Sequence, residues 1–95
     1  MPNNNYVRGR KFEYRARAQL LGQGHEVFRM AGSHSCADLI SFHRGRTFFV
    51  QCKTDGKFPL KEKQKLYATA HKCGATPILA FRDGRGIAMR EVEAC

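Results

Sequence analysis

The chain has 95 residues, 42% of them hydrophobic, and its 17 Lys and Arg against 8 Asp and Glu give a net charge of +9. This length supports a single domain over residues 1–95, the hydrophobic share argues against global disorder, and the absence of a long apolar run argues against a transmembrane helix. The positive charge is spread over several segments, so we expect a cytoplasmic protein with no membrane partner that binds a polyanion, most simply nucleic acid.

The N-terminal segment predicts one amphipathic helix over residues 4–21, which an Asn can cap and a Gly can end. Glu13 lies at the edge of the apolar stripe of this otherwise basic helix. Either an ion pair with Arg10 or Arg17 on the same helix, or a role in a site across the sheet, would account for an acid at this place. The stripe itself would face a sheet and comprises Gly9, Phe12, Ala16 and Leu20.

A strand, a loop and a hairpin are predicted next. Residues 25–30 suit a strand, and the small polar residues 31–36 suit a flexible loop that a ligand can approach closely. Two apolar runs follow, residues 37–42 and 47–52, with a basic, Gly-containing turn at 43–46 between them. This arrangement is typical of a β-hairpin.

The register of this hairpin follows from its turn. A loop of two or four residues gives the same pairing, and continuing that pairing outward sets Asp38 directly opposite Gln51. Lys53 follows Gln51 by two positions and therefore projects from the same face of the sheet. A loop with an odd number of residues would send Asp38 and Gln51 to opposite faces. An even loop brings a carboxylate, an amide oxygen and an ammonium together at the mouth of the hairpin.

The second half of the chain predicts a helix from Leu60 to about Cys73, preceded by Pro59, and then two strands over 76–81 and 87–92. A helical crossover requires the fourth strand to run parallel to an earlier one. The expected fold is therefore α/β, with a central mixed β-sheet of about five strands flanked by helices in the order α-β-β-β-α-β-β. We expect an apolar helix face of Leu66, Tyr67, Ala70 and Cys73, and a solvated face of Lys61, Glu62, Lys63 and Lys65.

The side chains at the hairpin mouth suit a hard divalent cation such as Mg²⁺, which prefers oxygen ligands and keeps several waters. Candidate ligands are Asp38, the side-chain oxygen of Gln51 and the backbone carbonyl of Cys52, while Glu13 can approach the same ion or a second one. Lys53 would orient or help deprotonate an attacking water and neutralise charge on the phosphate. These residues alone indicate a metal-dependent nuclease.

Four short motifs, in this order, resemble the PD-(D/E)xK nuclease superfamily: residues 9–13, 29–33, 37–40 and 51–53. More narrowly, the chain is similar to the archaeal-type Holliday junction resolvases, whose homologues also occur in phages. The resemblance implies a restriction-endonuclease-like core and an endonuclease that resolves four-way DNA junctions by metal-dependent hydrolysis, giving paired symmetric nicks. It implies Mg²⁺, with Mn²⁺ as a substitute, no small-molecule cofactor, and the cytoplasm of a prokaryotic cell or of a phage-infected host.

The resemblance also implies roles for single residues. It makes Glu13, Asp38 and Gln51 metal ligands, Lys53 the catalytic lysine, and Ser33 a contact of the DNA backbone or of an active-site water. We expect DNA contacts from a wider set of basic and polar residues, although His34 could equally face solvent and Lys57 could belong to an anchored loop. This set comprises Arg8, Arg10, Lys11, Arg15, Arg17, Arg29, Ser33, His34, Ser35 and Lys57.

Two residues depart from the family pattern. Tyr14 occupies the place where a basic residue normally follows the helix acid, and Arg10 or Arg17 could take over that role. Gln51 replaces the acid expected two residues before Lys53. The amide leaves two interpretations open: an active enzyme that needs more metal or uses a single tightly bound ion, and a DNA-binding relative that no longer cleaves. A general or restriction-type DNA nuclease is a separate alternative to a junction resolvase.

A homodimer would match the two-fold symmetry of a junction, because it holds two identical sites in a fixed relation. Its surface would come from the second helix or from the last two strands, unless those apolar residues lie in the monomer core. The candidates on the strands are Ile78, Leu79, Phe81 and Ile87. The four cysteines are too far apart for a zinc knuckle, and we expect reduced thiols.

Overall fold

The computed structural model describes residues 4–30 and 35–94, with side chains from residue 7 onward. Two helices and five strands follow one another in the predicted order. In chain order they are α1 (Asn4–Gly22), β1 (Glu26–Arg29), β2 (Leu39–His43), β3 (Arg46–Cys52), α2 (Leu60–Lys72), β4 (Thr76–Asp83) and β5 (Gly86–Glu91).

The five strands form one sheet in the order β1-β2-β3-β4-β5. Neighbouring strands are antiparallel except β3 and β4, which are parallel. This parallel pair is the one joined by α2, since a hairpin cannot connect two parallel strands and a crossover can. The predicted α/β fold with a mixed five-stranded sheet is confirmed.

Helix α1 packs on one face of the sheet through its predicted apolar stripe. Phe12, Ala16 and Leu20 are all at most 4% exposed, and they belong with Val50 of β3 to one cluster of buried residues. Glycine at position 9 lies half-buried near the same end of the helix. Because the N-terminal half of α1 lies over the last residues of β3, its polar side chains reach the end of the sheet where β3 finishes.

Helix α2 packs on the opposite face, over β3 and β4. Leu66 and Ala70 are fully buried there, but Tyr67 is only half-buried and Cys73 is exposed, so the predicted apolar face was too wide. The apolar strand residues offered as a dimer surface pack instead against the two core layers of the monomer. They are Ile78 and Ile87 on the α1 side, and Leu79 and Phe81 on the α2 side.

The hairpin turn between β2 and β3 has two residues, Arg44 and Gly45, with φ angles of 50° and 76°. Positive φ at both central positions is the geometry of a type I′ turn, whose twist matches that of the flanking strands. The resulting pairs include Phe42 with Thr47, as predicted from an even loop. The register of the hairpin is therefore confirmed.

Two histidines connect the turn end of the hairpin to the segment between α1 and β1. The imidazole rings of His25 and His43 stack with centroids 4.6 Å apart. His43 Nδ1 donates a hydrogen bond to the carbonyl oxygen of Gly24 at 3.1 Å, and His25 Nδ1 lies 3.1 Å from the hydroxyl of the buried Ser41. Burial and the neighbouring His43 both lower the pKa of His25.

Cys36, Cys52 and Cys73 are free thiols, as expected. In the part of the chain that the structure describes, neither helix is both long and apolar enough to cross a membrane.

Candidate active site

Asp38 lies immediately before β2 and is fixed by backbone groups of β3 and of the segment after β1. Its backbone carbonyl accepts a hydrogen bond from Met30 N at 2.8 Å, and its backbone N donates to Val50 O at 2.9 Å. The carboxylate oxygen Oδ2 accepts a further bond from Cys52 N at 2.9 Å. This carboxylate is therefore held in place before any ligand binds.

The strand is bulged at Asp38. Val50 pairs with Leu39, yet Val50 O also accepts from Asp38 N, so two consecutive residues face one residue of β3. Strand alternation would put Ala37 and Leu39 on the same face, but Leu39 lies in the α1-side core and Ala37 in the α2-side core. The predicted direct opposition of Asp38 and Gln51 is therefore wrong, because the bulge turns the Asp38 carboxylate toward Cys52 N.

Glu13 reaches the same region from α1. Its side chain is only 15% exposed, and its Oε1 accepts a hydrogen bond from Arg29 Nε at 2.6 Å. Arg29 lies on β1, so this ion pair joins the helix to the sheet. Glu13 is therefore ion-paired with a residue of the sheet. Arg17, one of the two predicted partners on the same helix, is exposed.

A cleft of about 260 Å³ gathers the predicted ligands. Two carboxylates and one amide contribute oxygen atoms, and two guanidinium groups border them. The lining residues are Gly9, Arg10, Glu13, Arg29, Asp38, Gln51, Cys52 and Thr54. The structure therefore brings Glu13, Asp38 and Gln51 together, although by a different strand geometry from the one expected.

Lys53 lines an adjoining cleft of about 440 Å³ that shares Gly9, Cys52 and Thr54 with the first. The backbone N of Lys53 donates to Ala80 O at 2.9 Å, which continues the pairing with β4. Its Nζ donates to Glu62 Oε1 at 3.3 Å. Lys53 thus lies beside the ligand cleft and is tied to α2 through its side chain.

Glu62 is the residue of this site that the sequence pattern assigned to a solvated helix face. Its contact with Lys53 depends on how α2 packs, which helical periodicity does not reveal. One signal was available: Glu62 is the only acid between Asp55 and Asp83, in a segment rich in lysine.

The electrostatics of the site reflect burial and several opposing charges. Burial raises the pKa of Asp38, while the hydrogen bond from Cys52 N and the charges of Lys53 and Arg29 lower it, and the charge of Glu62 raises it. Burial also strongly raises the pKa of the Cys52 thiol, with further contributions from Asp38 and Glu13. Cys52 is therefore a neutral thiol, and Asp38 is a carboxylate whose charge a cation would stabilise.

The donor set fits a hard cation. Glu13 and Asp38 offer carboxylate oxygens and Gln51 an amide oxygen. Cys52 adds its carbonyl, which points to the same side of β3 as its N–H to Asp38. Within residues 4–30 and 35–94 no group of three or more His, Cys, Asp or Glu could hold a metal by itself. This chemistry suits Mg²⁺ with several waters and excludes a closed zinc-type site in that part of the chain.

The remaining predicted contacts are distributed around the site. Ser33 and His34 lie outside the described residues. Ser35 Oγ accepts a hydrogen bond from Ala37 N at 3.2 Å, so Ser35 helps to form the turn that leads to Asp38. Lys57 is exposed in the loop after Lys53. The exposed basic residues of α1 are Arg8, Arg10, Lys11, Arg15 and Arg17.

Comparison with known proteins gives a consistent result. A family model described as archaeal Holliday junction resolvase (Hjc) matches residues 4–94. Among solved structures, Hjc of Archaeoglobus fulgidus, a Holliday junction resolvase from an archaeal hyperthermophile, is similar in fold with a TM-score of 0.76 at 22% sequence identity. That match covers 88% of this chain and 77% of the other. No curated protein matches the chain.

Proposed function

Because the chain belongs to the archaeal Holliday junction resolvase family, we propose that it resolves four-way DNA junctions by metal-dependent hydrolysis of phosphodiester bonds. One observation carries the proposal beyond the family: Glu13, Asp38 and Gln51 line one cleft, and Lys53 lines the cleft beside it. Two acids, an amide oxygen and an amine at the end of a sheet can hold a hard cation and support this hydrolysis.

Each of these side chains has a task that its contacts support. Glu13, Asp38, Gln51 and the Cys52 carbonyl would hold Mg²⁺ or Mn²⁺, which when bound supplies Lewis-acid stabilisation of negative charge on the scissile phosphate. The ammonium of Lys53 orients the attacking water and neutralises charge on the phosphate. Its ion pair with Glu62 holds the ammonium in place at the edge of the cleft.

Paired nicks on opposing strands require two sites, and we propose a homodimer that supplies them. A two-fold dimer relates its sites by the same symmetry that relates opposing strands of a junction. Arg10 and Arg29 border the ligand cleft and would contact the phosphates on either side of the scissile one.

A cleavage assay on a synthetic four-way junction tests the function. With Mg²⁺ we expect paired symmetric nicks from the wild type. Asp38→Ala and Lys53→Ala should each reduce the cleavage rate by roughly a hundredfold or more and leave junction binding largely intact. Lys72→Ala, on the exposed end of α2, is the matched control that should cleave normally.

The same assay distinguishes the two alternatives. Equal cutting of a linear duplex and a junction would identify a general nuclease. Junction binding without cleavage, even with millimolar Mn²⁺, would identify a DNA-binding relative whose site the amide of Gln51 has silenced. Cleavage by Asp38→Ala or Lys53→Ala at the wild-type rate would refute the proposed site.

A further inference from the structure

A second group of cations lies on α1 beside the candidate active site. Arg8, Lys11 and Arg15 of α1 and Arg82 of β4 surround a cleft of about 180 Å³ that is floored by Phe12. We refer to these four cations as the basic cluster. Three of them follow one another at helical spacings of three and four residues, and the fourth comes from a strand distant in sequence.

The basic cluster has no acidic partner in the described residues. The ion pairs found there are Arg29 with Glu13 and Lys53 with Glu62, and no carboxylate lines the cleft. Like charges three and four residues apart on a helix repel one another, and a further arginine from β4 adds to that repulsion. A bound anion would remove this unfavourable energy.

One member of the basic cluster is also held in position. Arg15 Nη2 donates to the carbonyl oxygen of Arg85 at 2.6 Å, which links α1 to the turn between β4 and β5. A guanidinium fixed by a backbone carbonyl loses less conformational freedom when it binds a ligand than a free side chain does. The cluster is thus partly preorganised.

The position of the basic cluster relates it to the active site. Arg8 lines both this cleft and the cleft of Lys53, so the three clefts are adjacent along α1. Asp38 N bonds to Val50 O, and Val50 pairs with Ile78 of β4. Arg82 therefore lies two strands across from Asp38 and four residues further along β4, a backbone separation of about 16 Å. The basic cluster is thus within a few phosphates of the candidate scissile position along one DNA strand.

We propose that the basic cluster binds a backbone phosphate of the DNA strand being cut, within a few nucleotides of the scissile bond. This inference rests on the proposed function, because it takes DNA as the ligand. The contact is independent of base sequence, since guanidinium and ammonium groups on a phosphate read no base edge. It would fix the register of the strand in the cleft, where Asp38 and Lys53 act.

The salt dependence of junction binding tests this proposal, measured with the double variant Lys11→Gln/Arg82→Gln. The magnitude of the slope of log K against log salt falls by about 0.9 for each phosphate that is no longer neutralised, so losing this one phosphate contact should reduce it by about 0.9 in the double variant. Its weaker binding at low salt should approach that of the wild type as salt increases. Lys65→Gln/Lys72→Gln removes the same charge from α2 on the opposite face and should keep the wild-type slope.

A second variant and a stability measurement complete the test. Arg82→Glu alone should weaken binding more than Arg82→Gln, because it places a carboxylate against the phosphate. Thermal unfolding of the free double variant should occur at the wild-type temperature or above it, because repulsion has been removed. A lower melting temperature would show that these cations are paired within the protein and would overturn the argument.

Failure of this proposal can be told from failure of the proposed function. A wild type that binds and cuts junctions, together with a double variant of unchanged slope and affinity, would refute the basic cluster alone. A wild type that neither binds nor cuts junctions would refute both.

Discussion

Gln51 is neutral, whereas the two other side chains proposed as oxygen donors carry charge. It lines the same cleft as Glu13 and Asp38. A unit negative charge about 4 Å from a unit positive charge contributes about 4 kcal/mol at an effective dielectric constant near 20, and the charge of a divalent ion makes the loss larger. As a ligand, the amide oxygen would recover part of this energy. We therefore expect the amide to weaken metal binding without removing a donor atom.

Gln51→Glu is predicted to lower the Mg²⁺ concentration that half-maximal cleavage requires, with the maximal rate kept or raised. A carboxylate at this position adds charge attraction to the donor that the amide already supplies. The measurement is the junction cleavage rate across a Mg²⁺ titration, repeated with Mn²⁺. Loss of activity in an otherwise folded Gln51→Glu protein would mean that the amide NH₂ has a role of its own.

Glu62 is predicted to act as a positioning residue for Lys53. Glu62→Gln removes the charge partner 3.3 Å from Lys53 Nζ, and the cleavage rate on saturating junction should fall by about tenfold to a hundredfold as the ammonium loses its fixed place. Junction affinity should stay equal or increase, because a negative charge has been removed from the surface that we propose binds DNA.

A lower cleavage rate without a loss of junction affinity would show that Glu62 acts by positioning Lys53. A purely electrostatic effect of Glu62 would raise affinity and leave the rate unchanged. Glu62→Asp, which keeps the charge on a shorter side chain, should recover part of the rate. Glu93→Gln, an exposed acid beyond β5, is the matched control and should change neither quantity strongly. Cleavage by Glu62→Gln at the wild-type rate would show that the backbone alone positions Lys53.

Among the elements, the β2–β3 hairpin shows where sequence reasoning succeeds and where it stops. The turn determines the register, because an even loop has only one outcome for the flanking pairs, and those pairs are observed. The bulge at Asp38 has no comparable signal, since Ala37 and Leu39 look like ordinary alternating strand residues. Only packing shows that one enters each core layer. Glu62 was missed for the same reason, because its partner comes from tertiary contact.

The hairpin turn also carries a stability prediction. Gly45 has φ of 76° and would meet no atom within 4 Å if it carried a Cβ, so Gly45→Ala should cost only the strain of the left-handed conformation. That strain is about 1–2 kcal/mol for an L-residue, which for a domain of this size lowers the melting temperature by several degrees. Thermal unfolding measures this change.

Arg44 provides the matched comparison at the same turn. It has φ of 50°, and Arg44→Asn should raise the melting temperature, because Asn adopts this conformation more readily and favours type I′ turns. Gly22→Ala in the last turn of α1, where φ is not positive and space is open, is the control that should not lower stability. A Gly45→Ala protein as stable as the wild type would contradict the type I′ assignment.

At the scale of the whole molecule, the sheet separates two surfaces of different character. The two clefts of the candidate active site and the basic cluster lie together along the N-terminal half of α1. On the opposite face, α2 packs on β3 and β4, while β1 and β2 expose an aromatic pair. The positive charge of the sequence predicted a broad surface that binds a polyanion. It did not predict on which face of the sheet this surface lies, because that depends on which helix covers which strands.

The aromatic pair on β1 and β2 is where we expect the homodimer to form. Phe28 and Phe42 are 57% and 44% exposed, and their rings meet edge to face with centroids 5.9 Å apart. Both lie on the face that α1 leaves free, since Val27 and Leu39 point into the α1-side core. Paired cleavage needs a second protomer. In a two-fold dimer the same patch of both protomers forms the interface, so the aromatic rings of one protomer would be buried against those of the other. The strands first considered for this role belong to the monomer core.

Sedimentation of the wild type and of Phe28→Gln/Phe42→Gln decides this point. We expect the wild type to sediment as a dimer and the double variant as a folded monomer, because each Phe→Gln substitution removes apolar area from the interface. The monomeric variant should nick junctions singly instead of in pairs. Leu21→Gln removes a similarly exposed apolar side chain from α1, where it is 45% exposed, and should remain dimeric. A double variant that stays dimeric and still cuts in pairs would place the interface elsewhere, whereas a monomeric wild type that cuts in pairs would mean that the two copies meet on the junction itself.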